Sequence, residues 1–310
     1  MSILQFIFRC ENSIRRGEHD VLTFAPPGMD ITRVHMISLA AETERRAHAK
    51  GVLASLPWPS TLHDACDCRT PAGLAETTKR FALGDEGDVP MGYRPKWRGP
   101  LAPGEVGCLA SHVAVWQAIA NAQAGKEELH IVLEDDVMVP NPAALTAFFA
   151  GLGNAWDPLP ELLYLGYERF EPAGRPRHWS LVSTLGNWAM ALGQTLPSLR
   201  HDIRHHLLAR RYPRPATAAV AEPNRTLARQ HHLLEAGLHD GTWGYAISTT
   251  GAHKLAQLAI PMCLRSDELI NVAAATGVLT AFTPMEKLAI PRSDMASTLF
   301  EDRDFRTYTP

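Results

Sequence analysis

His130-Ile-Val-Leu-Glu-Asp-Asp-Val137 is an apolar run that ends in three consecutive acids. It reads as a buried parallel strand delivering a carboxylate cluster at its C-terminal end. Upstream, Ala102 to Ala120 places Val106, Leu109, Ala110, Val113 and Ile119 at helical spacing, with Pro103 suited to a first turn. Downstream, a helix at Asn141 to Leu152 leads to a second apolar strand, Glu161 to Gly166. Earlier still, Arg33 to Leu39 has strand character, and Glu42 to Leu56 carries charges on one side and Ala, Val and Leu on the other. Pro57-Trp58-Pro59 stops that helix, because proline breaks the hydrogen-bond ladder and restricts the residue before it. Strand and helix alternate, so the expected fold is α/β, with a mostly parallel, doubly wound sheet flanked by helices.

The rest of the chain is less periodic. Thr61 to Pro100 reads as a long loop holding a short helix, Pro71 to Phe81. Residues 167–240 are rich in Arg, His and Pro, with a helical stretch at Leu196 to Arg211, and read as an insertion or lid. Regular structure resumes with a strand at Gly241 to Ser248 and a helix at Thr250 to Ile260. Ser2 to Arg9 looks like a strand. The expected organisation is an N-terminal extension over 1–30, a single domain over 31–300 and a tail over 301–310.

Composition excludes several classes of partner. The 310 residues are 45% hydrophobic and carry a net charge of -3, enough apolar content for an ordered core and no global basic field to draw the chain onto nucleic acid. No stretch reaches the roughly 20 apolar residues of a spanning helix. Local basic clusters remain at Arg94-Lys96-Arg98 and at Arg200 to Arg214, the latter a candidate for peripheral contact with the inner membrane. Five scattered cysteines argue against a disulfide scaffold and for a reducing, cytoplasmic setting. Cys66-Asp67-Cys68 with His63 is half of a zinc pattern, and no second pair stands at suitable spacing.

Three adjacent acids in a partly desolvated place raise one another's pKa unless a cation neutralises them. Oxygen ligands at this density suit Mg²⁺ or Mn²⁺, which are held by one or two carboxylates together with substrate phosphates. The ends of strands in an open α/β sheet are also where ligands bind. Position alone leaves a second reading open, a solvated turn that caps the following helix.

The segment Leu101-Ala-Pro-Gly-Glu-Val-Gly-Cys-Leu-Ala-Ser-His112, followed by Ile131-Val-Leu-Glu-Asp-Asp-Val137, resembles the signature of glycosyltransferase family 25. That family includes bacterial lipooligosaccharide galactosyltransferases and animal collagen galactosyltransferases. Met36-Ile-Ser-Leu39 with Glu44-Arg45-Arg46, Tyr164-Leu-Gly166, and Gly241-Thr-Trp-Gly-Tyr-Ala-Ile-Ser248 with Gly251-Ala252 are similar to further family stretches, from about Arg33 to Thr298. The insertion has no matching counterpart.

The resemblance implies a GT-A-like, Rossmann-type sheet and inverting, metal-dependent transfer of a hexose from a UDP-sugar. Galactose is the first expectation, and the acceptor is a glycan or glycolipid such as lipooligosaccharide. It implies Mn²⁺, or Mg²⁺, on Asp136 and Glu134, with Asp135 sharing the donor. Ser38, Leu39, Arg45, Arg46, Glu105, Ser111, His112, Ser293 and Asp294 are the other donor-binding candidates, and Trp243 and Tyr245 are candidates for the acceptor. An inverting transfer needs a carboxylate base. Asp267 is preferred over Glu268 and Asp240 because the family places an acid near that position. Two competing readings stay open: a non-catalytic, transferase-like protein that binds a sugar or partner, and a metal-dependent phosphoryl or nucleotidyl transferase.

Overall fold

The computed structural model describes residues 30–85, 88, 100–122, 127–153, 156, 159–167, 170–172, 228, 230–239 and 241–292. The expected strand at 2–9, the helix at 196–211, both basic clusters, Asp240, Ser293 and Asp294 lie outside these residues.

The first described elements are β1 (Ile31–Ser38), α1 (Thr43–Ala54), β2 (Ser60–Asp64) and α2 (Pro71–Arg80). Next come α3 (Pro103–Asn121), β3 (Leu129–Glu134), the short β4 (Val137–Met138), α4 (Pro142–Leu152), β5 (Leu162–Gly166) and β6 (Phe170–Pro172). The last described elements are β7 (Leu233–His239), β8 (Gly244–Ser248), α5 (Thr249–Leu258), α6 (Ser266–Ala275), β9 (Ala281–Pro284) and β10 (Ile290–Pro291). Eight strands form one sheet in the order β2-β1-β3-β8-β5-β9-β7-β6, and β10 pairs with β4 beside it. β1 is parallel to both β2 and β3, and β5 is parallel to β9. β8 and β7 run against their neighbours, so the other strands share one direction. This is a mostly parallel, Rossmann-like α/β sheet of the GT-A kind.

Residue alternation along the strands builds a core on each face. Leu129, Ile131 and Leu133 of β3 pack with Val34 and Met36 against Ala49 and Leu53 of α1 and Leu145 and Phe149 of α4. Val132, Tyr164, Tyr245 and Ile247 point the other way, into Val106, Leu109, Val113 and Trp116 of α3 and into α5 and α6. Trp116 is wholly buried, and truncating such a side chain to Ala costs about 3–5 kcal/mol. α3 lies close against the segment after β2: a Cβ on Gly107 would stand 2.5 Å from the Cys66 carbonyl oxygen, so only glycine fits there.

Several features depart from or add to the sequence reading, among them β6 and β7, which join the sheet from the two ends of the 167–240 stretch expected as an insertion or lid. β2 falls where a loop was expected, since Ser60-Thr-Leu-His-Asp64 is short, polar and at the sheet edge, where one face of the alternation stays wet. β8, read from the sequence only as a strand, lies antiparallel between β3 and β5. Its Gly-Tyr-Ala-Ile-Ser run marks a central strand, buried at every position, but burial carries no information about direction.

Three histidines on β2, β1 and β3 form a hydrogen-bonded row on the α3 face. His63 Nε2 lies 2.8 Å from His35 Nδ1, and His35 Nε2 lies 3.0 Å from His130 Nδ1. His130 Nε2 in turn lies 3.5 Å from Glu128 Oε2. Neutral rings that each carry hydrogen on Nε2 satisfy the row head to tail, and a second proton on His35 would face another ring's donor. Burial, then the neighbouring His130 and His63, push His35 down to about 3, and burial also lowers His63 and His130. A histidine that charges readily only when unfolded contributes stability that is lost as pH falls from its unfolded value near 6.5 toward its folded one. Urea unfolding at pH 7.5 and pH 5 is expected to show His35→Gln losing less stability over that interval than the parent chain, by roughly 2 kcal/mol. Equal losses in the two proteins would assign the acid sensitivity elsewhere.

Candidate functional site

Asp135 and Asp136 follow β3 in a tight loop whose backbone is held on several sides. Glu134 N–H donates to the Trp243 carbonyl at 2.9 Å, Arg292 N–H donates to the Asp136 carbonyl at 2.7 Å, and His48 Nε2 lies 2.7 Å from the Val137 carbonyl oxygen. The pairing of β10 with β4 closes the other side of the loop. Ser293 and Asp294 follow Arg292 directly and lie outside the described residues.

The three acids play different parts. Asp135 is buried, accepting from Ser38 Oγ at 2.9 Å on Oδ2 and from Arg45 Nε at 2.8 Å on Oδ1. Arg45 Nη2 also reaches Asp135 Oδ1 and spans to Asp136 Oδ2 at 2.9 Å. Arg45, a donor-binding candidate in the sequence, is here the clamp between two carboxylates, and Asp135, a further donor candidate, is its anchor. Asp136 keeps one buried oxygen, Oδ1, with no hydrogen-bond partner among the described residues. Burial and the charge of Glu134 push the Asp136 carboxyl up to about 6, against the pull of Arg45.

Glu134 stands on a relay. His112 Nε2 lies 3.1 Å from Glu134 Oε1, His112 Nδ1 lies 2.8 Å from the Tyr245 hydroxyl, and Trp116 Nε1 donates to that hydroxyl at 2.8 Å. Burial holds the Tyr245 hydroxyl protonated, far above its usual range. With Trp116 donating to its oxygen, Tyr245 gives its own hydrogen to His112 Nδ1, which leaves the imidazole proton on Nε2, aimed at Glu134. Thr242 Oγ1 donates to the same Glu134 oxygen at 2.5 Å. Burial opposes charge on Glu134, but these hydrogen bonds and Arg45 outweigh it and hold the carboxyl below its usual range.

Thr242 continues the polar chain: its hydroxyl is 3.3 Å from Ser266 Oγ, which is 3.5 Å from Cys108 Sγ. Asp267, next in sequence, sits in the first turn of α6, accepting from Glu268 N–H at 2.8 Å and from Gly241 N–H at 3.4 Å. Gly241 takes a φ of 90°, and a Cβ there would meet the Trp243 ring at 2.9 Å, so the approach to β8 requires glycine.

Other sequence candidates are placed elsewhere. Glu268 is buried and bound by Arg265 at 3.0 Å, and Glu105 accepts from Ala102 N–H at 2.9 Å in the first turn of α3, with Arg265 at 3.9 Å. Ser111 donates to the Gly107 carbonyl at 2.6 Å and accepts from Cys66 N–H at 2.8 Å, fixing α3 against the segment after β2. Arg46 pairs with Asp64 at 2.6 Å, and Leu39 is partly buried at the end of β1. Tyr245, expected at the acceptor, has no exposed surface and serves the His112 relay instead. Trp243 packs into the core on the opposite face, because the chain enters regular strand geometry only at Gly244.

Residues 31–151 match the family described as Glycosyltransferase family 25 (LPS biosynthesis protein). Over that stretch the chain is similar to glycosyltransferase family 25. The mouse protein named procollagen galactosyltransferase 2 is 24% identical over 236 residues, covering 74% of this chain and 28% of that protein. The mouse protein named inactive glycosyltransferase 25 family member 3 is 31% identical over 110 residues, covering 35% of this chain and 17% of that protein. The chain thus spans less than a third of the length of these relatives. The matched stretch contains β1, Arg45, α3 with His112, and the whole acidic loop.

Sequence reasoning did not single out Thr242, Ser266, Trp116 or Cys108 as site residues. A local signal existed only for Cys108, four residues before His112 on one helix face.

Because the Asp136 carboxyl is raised in the fold, its charge costs stability above about pH 6, and that cost disappears as pH falls toward the unfolded value of 3.8. Asp136→Asn is therefore expected to stabilise the metal-free protein by ~1–3 kcal/mol at pH 7.5, with the gain fading by pH 4. Guanidinium unfolding across that range checks it, and a destabilised variant at pH 7.5 would contradict it.

Proposed function

We propose that this chain is an inverting, metal-dependent glycosyltransferase that moves a hexose, galactose first, from a UDP-sugar to a hydroxyl of a glycan or glycolipid acceptor such as lipooligosaccharide. The family match and the galactosyltransferase relative support the reaction class. The observation that carries the reading is Asp136. A strand-end carboxylate, lifted by burial and by Glu134 and left with a partnerless buried oxygen, fits a hard divalent cation such as Mn²⁺ or Mg²⁺. When bound, that cation supplies charge to neutralise a diphosphate leaving group.

The chain's own side chains do the positioning. Arg45 and Ser38 lock Asp135, so Asp136 is presented from a fixed loop. His112 and Thr242 keep Glu134 ionised and oriented beside it. Asp267 is the preferred base, since Glu268 is occupied by Arg265 and Asp267 follows Ser266, whose hydroxyl meets that of Thr242 on the way to Glu134. Asp240, Ser293 and Asp294, which flank this region in sequence, remain candidates for base and donor contacts. Action at the cytoplasmic face of a membrane, through the 200–214 segment, belongs to the same reading. No helix among the described residues is long and apolar enough to cross a membrane.

A non-catalytic, sugar- or partner-binding role is the second reading, because a relative's name describes an inactive member. A panel of UDP-sugars with Mn²⁺, scored for UDP release, separates the two. Turnover of one donor, abolished by chelation and lowered at least ~100-fold by Asp136→Ala, is the expected outcome. Absence of turnover across the panel together with absence of metal-dependent UDP binding in calorimetry would overturn the transferase reading.

A further inference from the structure

Cys108 Sγ, His112 and Glu134 offer ligand atoms that all lie within 4.8 Å of one another. The geometry points to a second, softer cation site: we infer that these three side chains bind a zinc-class divalent ion at the foot of the acidic loop, separate from the Asp136 position. It shares Glu134 with the proposed donor site but does not depend on that reading.

The donor set is not a solvated cluster of like charges. Cys108 and His112 are one helical turn apart on α3, so both project from the same face, and the carboxylate comes from β3 opposite. Thiolate and imidazole favour zinc and cobalt, and affinity at such a site is weakest for manganese. Three protein ligands with a fourth position open is the pattern of a zinc site able to take water or a ligand atom. A tetrahedral ion at normal bond lengths holds its ligand atoms roughly 3.3–3.8 Å apart, so the three groups close in by about one ångström at most.

Every ligand already has an outer hydrogen-bond partner of the kind that fixes metal ligands. His112 Nδ1 faces the Tyr245 hydroxyl, which Trp116 holds in place. Glu134 Oε1 accepts from Thr242, and Cys108 Sγ lies against Ser266 Oγ. In the metal-free protein the relay puts the imidazole proton on Nε2, toward Glu134. On binding, Nε2 becomes the ligand and the imidazole keeps its one proton on Nδ1, where the Tyr245 oxygen accepts it beside the Trp116 N–H while the hydroxyl's own hydrogen turns away from the ring. The Cys108 thiol releases its proton to solvent, so the cation meets one thiolate and one carboxylate and the centre is neutral. Because the ion must compete with the Cys108 proton, zinc affinity rises with pH.

Cobalt(II) is the probe. Titration of the folded full chain with Co²⁺ at pH 8 is expected to give a near-ultraviolet thiolate-to-cobalt charge-transfer band that saturates at one ion per chain, is bleached by Zn²⁺ and ignores Mn²⁺. Cys108→Ser, close in shape and checked for native circular dichroism, should lose the band and bind zinc at least ~10-fold more weakly. Cys108→Ala should do the same. Asp136→Ala, which removes metal-dependent UDP binding under the transferase reading, should keep the band, so the two ideas fail separately. A parent chain with no such band, or a band that persists in both Cys108 variants, overturns the site.

Discussion

The guanidinium of Arg45 between Asp135 and Asp136 is the contact on which the candidate site depends. Three acids in sequence at the end of a buried strand repel one another, and taking them out of water makes that worse. One planar cation on α1, donating to both aspartates, neutralises part of the charge and orients the loop. It reaches them because α1 packs on β1 and β1 runs parallel to β3, with Ile37 opposite Glu134. Sheet register therefore decides where the clamp falls. Arg45 compensates incompletely, since Asp136 remains raised and its Oδ1 has no hydrogen-bond partner among the described residues.

A second network works from beneath. Trp116, Tyr245 and His112 form a line of donors ending on Glu134, and Thr242, Ser266 and Cys108 approach the same oxygen from the side. Buried polar groups of this kind are costly unless each is satisfied. Here the aromatic core face of β8 and α3 supplies the rigid surroundings, and Tyr245 is central because its hydroxyl, accepting from Trp116 and donating to His112, joins two side chains of α3 to a strand. The residue that looked suited to stacking on a sugar is instead the keystone of the support under a carboxylate.

Much of this was legible in the order of residues. The helical spacing of Val106, Leu109 and Val113, the apolar run before Glu134, and the Pro and Asn signals around α4 placed their elements within a residue or two. Such patterns are local, because burying one face of a helix or both faces of a strand needs only a periodic choice of side chains. β2 escaped because an edge strand with wet positions has no such requirement, and the place of β8 escaped because a wholly buried strand reads the same in either direction.

The sequence by itself determined the α/β alternation, the acidic loop at a strand end and the presence of His112 four residues after Cys108. Only the tertiary structure decided that Arg45 clamps the aspartates rather than facing outward, that Ser111 ties α3 to Cys66, and that Thr242 and Ser266 join Glu134 from more than a hundred residues away. The reason is physical. Periodicity records how much water each position avoids, whereas a hydrogen bond records which atoms meet, and that is fixed by the register of β3 against β1 and β8 and by the packing of α3 across them.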